Sequence, residues 1–209
     1  MGVDDNIERF DPDTQLQVDF RLQRHFDSHR IIEFAGHVCV ADYEDGGEED
    51  LVEIGRLRGV FIPEVWSPAE LLDLADSVRE DVYQLANIGW RDEDAGDGLR
   101  IPPITDSHAS SWVGVESLEL DPKWRGQQLG YHVLRELTRW CASHPHTLLV
   151  TRPHPLVDEA SPAPSEASIG RLRRYWSAFG LRPIGDGGVF GHGFELKWPE
   201  GSWMRENGE

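Results

Sequence analysis

The chain has 209 residues, is 39 % hydrophobic, and carries 38 Asp and Glu against 20 Lys and Arg, a formal net charge of −18. That length is enough to bury one sizeable core, and we read a single domain over residues 1–209 with a polar N-terminal segment at 1–28. The charge argues against nucleic acid, whose phosphates need a basic face, and against a membrane surface; it fits either solubility or the steering of a cationic ligand.

No apolar run approaches the ~20 residues of a membrane helix. The acidic start Met1-Gly2-Val3-Asp4-Asp5 lacks the apolar centre of a signal peptide. Cys39 and Cys141 are the only cysteines and lie far apart. The expectation is therefore a cytoplasmic protein without disulfides, its two thiols packed as small hydrophobes.

Taken in order, Leu16 to Phe26 reads as a short helix. Arg30 to Ala41 and Leu51 to Ile62 read as strands of an antiparallel hairpin whose long acidic loop, Asp42 to Asp50, is solvated and lacks the alternating ligands of a calcium site. Ser67-Pro68-Ala69-Glu70 is a helix start with Ser67 as N-cap, Pro68 at the first position and Glu70 completing a capping box. Leu71, Leu74, Ala75, Val78, Val82 and Leu85 continue it as one apolar stripe, a helix that packs against a sheet. Arg91 to Gly98 is a polar surface loop. From Ser111 the order is strand (Trp112 to Leu120), helix (Gly126 to Ala142), strand (Thr147 to Thr151), helix (about Ser165 to Phe179), and two strands near Leu181-Ile184 and Val189-Lys197.

The densest stretch runs from Leu118 to Gly130: a strand, the turn Asp121-Pro122, then Arg125-Gly126-Gln127-Gln128-Leu129-Gly130 entering a helix. Backbone N–H groups at a helix start have no intrahelical partner and favour an anion, and Arg125 adds a fixed positive charge. Neither Gly-x-Gly-x-x-Gly nor Gly-x-x-x-x-Gly-Lys-Ser/Thr can be read here, which sets aside a Rossmann site or a P-loop. These residues resemble the GCN5-related N-acetyltransferase (GNAT) superfamily, whose hallmark is Arg/Gln-x-x-Gly-x-Gly/Ala after a strand and a hydrophobic-x-Pro turn. Arg125 and Gly130 match. Gln128 stands where the pattern has its first glycine, which leaves the main-chain amides accessible if its φ is negative.

The resemblance covers about residues 111–197, the acetyl-CoA-binding half. It implies an α/β fold of the GNAT-like acyl-CoA N-acyltransferase type, with a central mixed, mostly antiparallel sheet flanked by helices. It implies acetyl-CoA as co-substrate, no metal, and a diphosphate held by Arg125, Gly126, Gln127, Gln128, Leu129, Gly130 and Tyr131, with pantetheine along Leu118 and Leu120. In the family two helices follow the first strand. Here a helix stands directly before the motif strand, so either the N-terminal elements are rearranged or the strand assignments are shifted.

Acetyl transfer to an amine needs a base, an oxyanion donor and an acid for the departing thiolate. Glu116 on the motif strand is the expected base. Glu119 is second, on the opposite face if the strand alternates regularly. The oxyanion donor implied is a backbone N–H near Leu120. Leu172 to Leu181 is similar to the family's Leu-Tyr-x-x-x-Gly-Phe ending, with Trp176 at the acid's position and Tyr175 one residue early, about 100° away on an ideal helix. Tyr175 is the expected acid if the helix is turned. One of Arg171, Arg173 and Arg174 would reach the 3′-phosphate. His144, His146 and His154 lie in proline-bearing loops without zinc spacing, while His108 and His192 would line the acceptor pocket. No Gly-x-Ser-x-Gly elbow supports a hydrolase. The acceptor would be a small-molecule or peptide amine, cationic if the charge of the chain steers it, and a homodimer is compatible. The rival expectation is a catalytically degenerate protein of the same fold that binds CoA or a protein partner.

Overall fold

The computed structural model describes residues 16–26, 28–42, 50–88, 90, 99, 109–141, 146–152, 165–185 and 188–193. The loop 43–49, the stretch 91–98, His108, His144, His154 and residues 194–197 of the last expected strand lie outside these.

Leu16, Val18 and Phe20 pack against the core while Gln17, Asp19 and Arg21 are exposed. The period is two, not 3.6, and the segment expected as a helix is strand β1, Leu16–His25. It opens a meander with β2, Ser28–Asp42, and β3, Asp50–Ile62. Helix α1, Pro68–Val78, follows with the expected cap, the Ser67 hydroxyl accepting from the Glu70 N–H at 3.2 Å. The Glu70 carboxylate reaches one residue beyond a capping box, accepting from the Trp66 N–H at 2.6 Å and from Arg30 at 2.7 Å. The single long helix expected here is two. Arg79 is extended (φ −176°, ψ 163°), and α2, Glu80–Ala86, begins after it.

Next come β4, Ser111–Leu120, a 3₁₀ turn at Pro122–Trp124, and α3, Leu129–Trp140. The chain closes with β5, Thr147–Thr151, α4, Glu166–Ala178, β6, Arg182–Ile184, and β7, Val189–Gly193. The seven strands form one sheet in the order β1-β2-β3-β4-β5-β7-β6, antiparallel except for the parallel β4–β5 pair. This mixed, mostly antiparallel sheet with flanking helices is the arrangement implied by residues 111–197. The N-terminal half is rearranged: α1 and α2 join β3 to β4 instead of following the first strand.

Two cores lie on the two faces of the sheet. One gathers Phe34, Val38, Ile54, Leu57, Val113, Val115 and Leu149 beneath Leu134 and Leu137 of α3 and Trp176 of α4. Trp140 at the end of α3 stacks on Phe20 (centroids 5.6 Å apart) and meets Phe34 and Phe61 edge-on. The other gathers Ile31, Val60, Ile62, Trp112, Leu148 and Val150 beneath Leu71, Ala75, Val82 and Leu85 of α1 and α2. Cys39 and Cys141 are free and buried, and burial pushes the Cys141 thiol up to about 12. Among the described residues, no helix is long and apolar enough to cross a membrane.

His192 on β7 is 2 % exposed, and burial pulls its imidazole down to about 4 from an ordinary 6.5. A depressed histidine contributes stability that is present above pH 6.5 and lost as the pH falls through 4, because the unfolded chain takes up the proton first. Chemical denaturation at pH 7 and pH 4 should show the wild type losing about 3 kcal/mol more than His192→Gln across that interval.

Candidate active site at the open edge of the fourth strand

Pairing between β4 and β5 covers Ser111–Val115 against Thr147–Thr151 and stops there, with the Thr151 hydroxyl donating to the Val115 carbonyl at 3.1 Å. Among the described residues, the strand from Glu116 to Leu120 keeps only its β3 neighbour. Along this open edge lies a cavity of about 560 Å³, lined by Leu118 and Leu120, by Arg125, Gly126, Gln128, Leu129 and Gly130, and by Ser168, Arg171, Leu172, Tyr175 and Trp176 of α4. Its volume is that of a small-molecule site.

Most of the residues expected at the cofactor come together here, but not all. Gln127 is exposed and turns its amide to the Lys123 carbonyl at 3.4 Å; Tyr131 is in the core, stacked on Phe179 at 4.8 Å. Arg125 donates from Nε to the Leu120 carbonyl at 2.8 Å, tying the loop to the strand it follows. Of the three arginines on α4, Arg171 lines the cavity. Ser168 and Leu172 were missed; with Arg171 and Tyr175 they recur at three- and four-residue spacing on one helix face, which was the available signal.

The loop departs from expectation at its least conventional residue. Helix α3 starts at Leu129 rather than Gly126, and the turn before it holds two left-handed residues in three, Gly126 at φ +84° and Gln128 at φ +62°. Gln128 is the one non-glycine residue with positive φ among the described residues. The negative φ that would make glutamine innocuous is therefore not adopted, and the turn carries the cost of a Cβ in left-handed backbone, about 1–2 kcal/mol. Turns of this kind direct successive N–H groups into a concavity suited to an anion.

Tyr175 and Trp176 both border the cavity. The Tyr175 ring packs edge-on against Phe179 at 4.5 Å, and its hydroxyl lies where a Cβ on Gly130 would come within 2.8 Å. The missing side chain of Gly130 is what admits the phenol. Burial pushes the phenol above its ordinary range, opposed by hydrogen bonds from the Tyr131 and Gly130 backbone. It is a protonated donor at neutral pH.

Glu116 does not line the cavity. Arg58 pairs with Ser117 and Gly59 with Val115, so Glu116 is the extra residue of a β-bulge. Val113 and Val115 before the bulge share a face with Leu118 and Leu120 after it, a parity change that puts Glu119 on the other face from Leu118 and Leu120. The alternation expected to separate Glu119 from Glu116 is thus broken. Glu119 borders a second, polar cavity of about 310 Å³ with Glu53, Arg56 and Asp121, adjoining the first through Leu120 and Arg125. The Glu116 side chain is 7 % exposed; Oε1 is paired with Arg79 Nη2, and among the described residues Oε2 is buried without a hydrogen-bond partner. His192 is buried in the sheet and lines neither of these two cavities.

No protein-family model and no curated protein matches the chain. Solved structures similar to it include two of Arabidopsis thaliana NAA60. Arabidopsis thaliana NAA60 in complex with a bisubstrate analogue is 14 % identical, covering 78 % of this chain and 76 % of that one, with a TM-score of 0.34. Arabidopsis thaliana NAA60 in complex with acetyl-CoA is 13 % identical, covering 85 % of this chain and 98 % of that one, with a TM-score of 0.37. Neither similarity is close enough to say what this chain does.

The strain at Gln128 has a signed consequence. In ordinary helical backbone alanine is more stable than glycine by up to about 1 kcal/mol, whereas in left-handed backbone the order reverses. Denaturant unfolding should find Gln128→Gly more stable than Gln128→Ala by about 1 kcal/mol; the opposite order would contradict the backbone geometry.

Proposed function

We propose that this chain is a cytoplasmic acetyl-CoA-dependent N-acetyltransferase that moves an acetyl group to a primary amine by direct attack. The observation that carries the reading is the cavity in which an unpaired strand edge, a helix-start turn and a buried phenol converge. The turn 125–130, with Arg125 and Arg171 beside it, suits the diphosphate of acetyl-CoA. The backbone of Glu116 to Leu120, free on its β5 side, suits the amides of pantetheine. The net charge of −18 favours a cationic acceptor, small molecule or peptide.

In the reaction the amine nitrogen, freed of one proton, attacks the thioester carbonyl carbon. The carbon–sulfur bond breaks, CoA leaves as thiolate, and the second proton, lost from the nitrogen as the amide forms, passes to that thiolate to give the free thiol. Glu116 is the proton acceptor in this scheme. A backbone N–H of the opened strand would stabilise the oxyanion. Tyr175 stabilises the thiolate by donating a hydrogen bond: a phenol raised by burial holds its proton more tightly than a thiol, whose ordinary pKa is about 8.5, so the proton is shared and not surrendered.

A second reading, a non-catalytic protein that binds CoA or a protein partner, is favoured by Trp176 at the acid's position and by the strained Gln128. Thiol release from acetyl-CoA with a panel of primary amines separates the two. Wild-type turnover with at least one amine is expected, with kcat falling about 100-fold in Glu116→Gln and about tenfold in Tyr175→Phe while acetyl-CoA binding persists. No thiol release with any amine would leave the binding protein; full activity of Glu116→Gln would remove Glu116 as the base.

A further inference from the structure

We infer that Arg79 is a positioning residue for this reaction: it holds Glu116 by one carboxylate oxygen and leaves the other for the N–H of the acceptor amine. The inference rests on the acetyltransferase reading above and adds a residue that no motif suggested. Its first support is the break in the helix. The apolar stripe from Leu71 to Leu85 would run on unbroken, yet Arg79 alone is extended, and α1 and α2 are separated by this residue. The extended backbone delivers the guanidinium to the sheet, where Nη1 meets Glu33 of β2 at 2.8 Å, Nη2 meets Glu116 of β4, and Nε meets Asp81 of α2 at 3.0 Å.

The second support is how the guanidinium is used. An arginine that served only to neutralise a buried glutamate would engage both oxygens as a fork. Arg79 spends each nitrogen on a different carboxylate, so its hold on Glu116 is by Oε1 alone. Among the described residues Oε2 stays buried without a hydrogen-bond partner, a condition that costs stability and is uncommon in folded proteins. Three carboxylates around one guanidinium also leave an excess of negative charge. A primary amine, arriving as its ammonium form, supplies both the missing N–H donor and the missing positive charge. The bulge at Glu116 stands at the start of the open edge of β4, one residue beyond the last β4–β5 pair, Val115 with Thr151.

The test is a cycle of Arg79→Ala, Arg79→Lys, Glu116→Gln and the double variant Arg79→Ala/Glu116→Gln. It reads amine kcat and KM, acetyl-CoA affinity by calorimetry, and thermal melting. Arg79→Ala should lose at least tenfold in amine kcat/KM with acetyl-CoA affinity within twofold of wild type, and 50 mM guanidinium chloride should restore part of the loss. Arg79→Lys should lie between the two, and serves if the alanine variant does not fold. In the Glu116→Gln background the alanine substitution should cost less than twofold, since Arg79 acts through Glu116. An equal loss in both backgrounds, or unchanged amine kinetics in Arg79→Ala and Arg79→Lys, overturns the inference. Absence of turnover by the wild type, seen before any variant is made, overturns the acetyltransferase reading and this inference with it.

Discussion

The parallel ladder between β4 and β5 ends at Val115 and Thr151, and the candidate site depends on that ending. A strand interior cannot leave its N–H and C=O groups without partners at no cost. Here the opening is managed at its two limits, by the Thr151 hydroxyl on the Val115 carbonyl and by Arg125 on the Leu120 carbonyl. Between those limits the backbone is open to a ligand with alternating amide donors and acceptors. The same gap lets α4 approach the start of α3, so that Tyr175 reaches Gly130 and the cavity gains its third wall.

Around this gap the chain departs from its own local preferences. Gln128 lies in left-handed backbone, Glu116 sits in a bulge with one oxygen unsatisfied, and Arg79 interrupts a helix. Each departure costs stability, and the cores above and below the sheet offset the sum. Costs gathered at one place while the remainder follows its preferences are what a binding or reacting site requires.

The fold was legible where a local period or cap decides the structure. Ser67 as a cap, the hairpin of β2 and β3, and the succession from β4 to β7 follow from spacing and turn residues. It was illegible where a tertiary partner decides. Leu16, Val18, Phe20 and Leu22 alternate, but among polar neighbours the same residues also suggest a short helix, and pairing with β2 settles it. The break at Arg79 leaves the apolar stripe intact, because the residue that breaks it is polar and two of its three carboxylate partners, Glu33 and Glu116, are distant in sequence. The site divides along the same line: Leu118, Leu120, Arg125, Gly126, Gln128, Leu129, Gly130 and Tyr175 line one cavity, while the bulge that changes the face of β4 after Val115 leaves no mark in the residues themselves. The sign of φ at Gln128 is set by the geometry of the turn, and the residue types alone leave it open.

The most direct measurement is calorimetric titration of the purified protein with acetyl-CoA, beside the same titration with Leu118→Pro, which removes a backbone donor from the open edge. The account predicts one site of micromolar affinity in the wild type and at least tenfold weaker binding in the variant. No heat of binding from the wild type would contradict it, because the cavity along β4 would then hold something other than this cofactor.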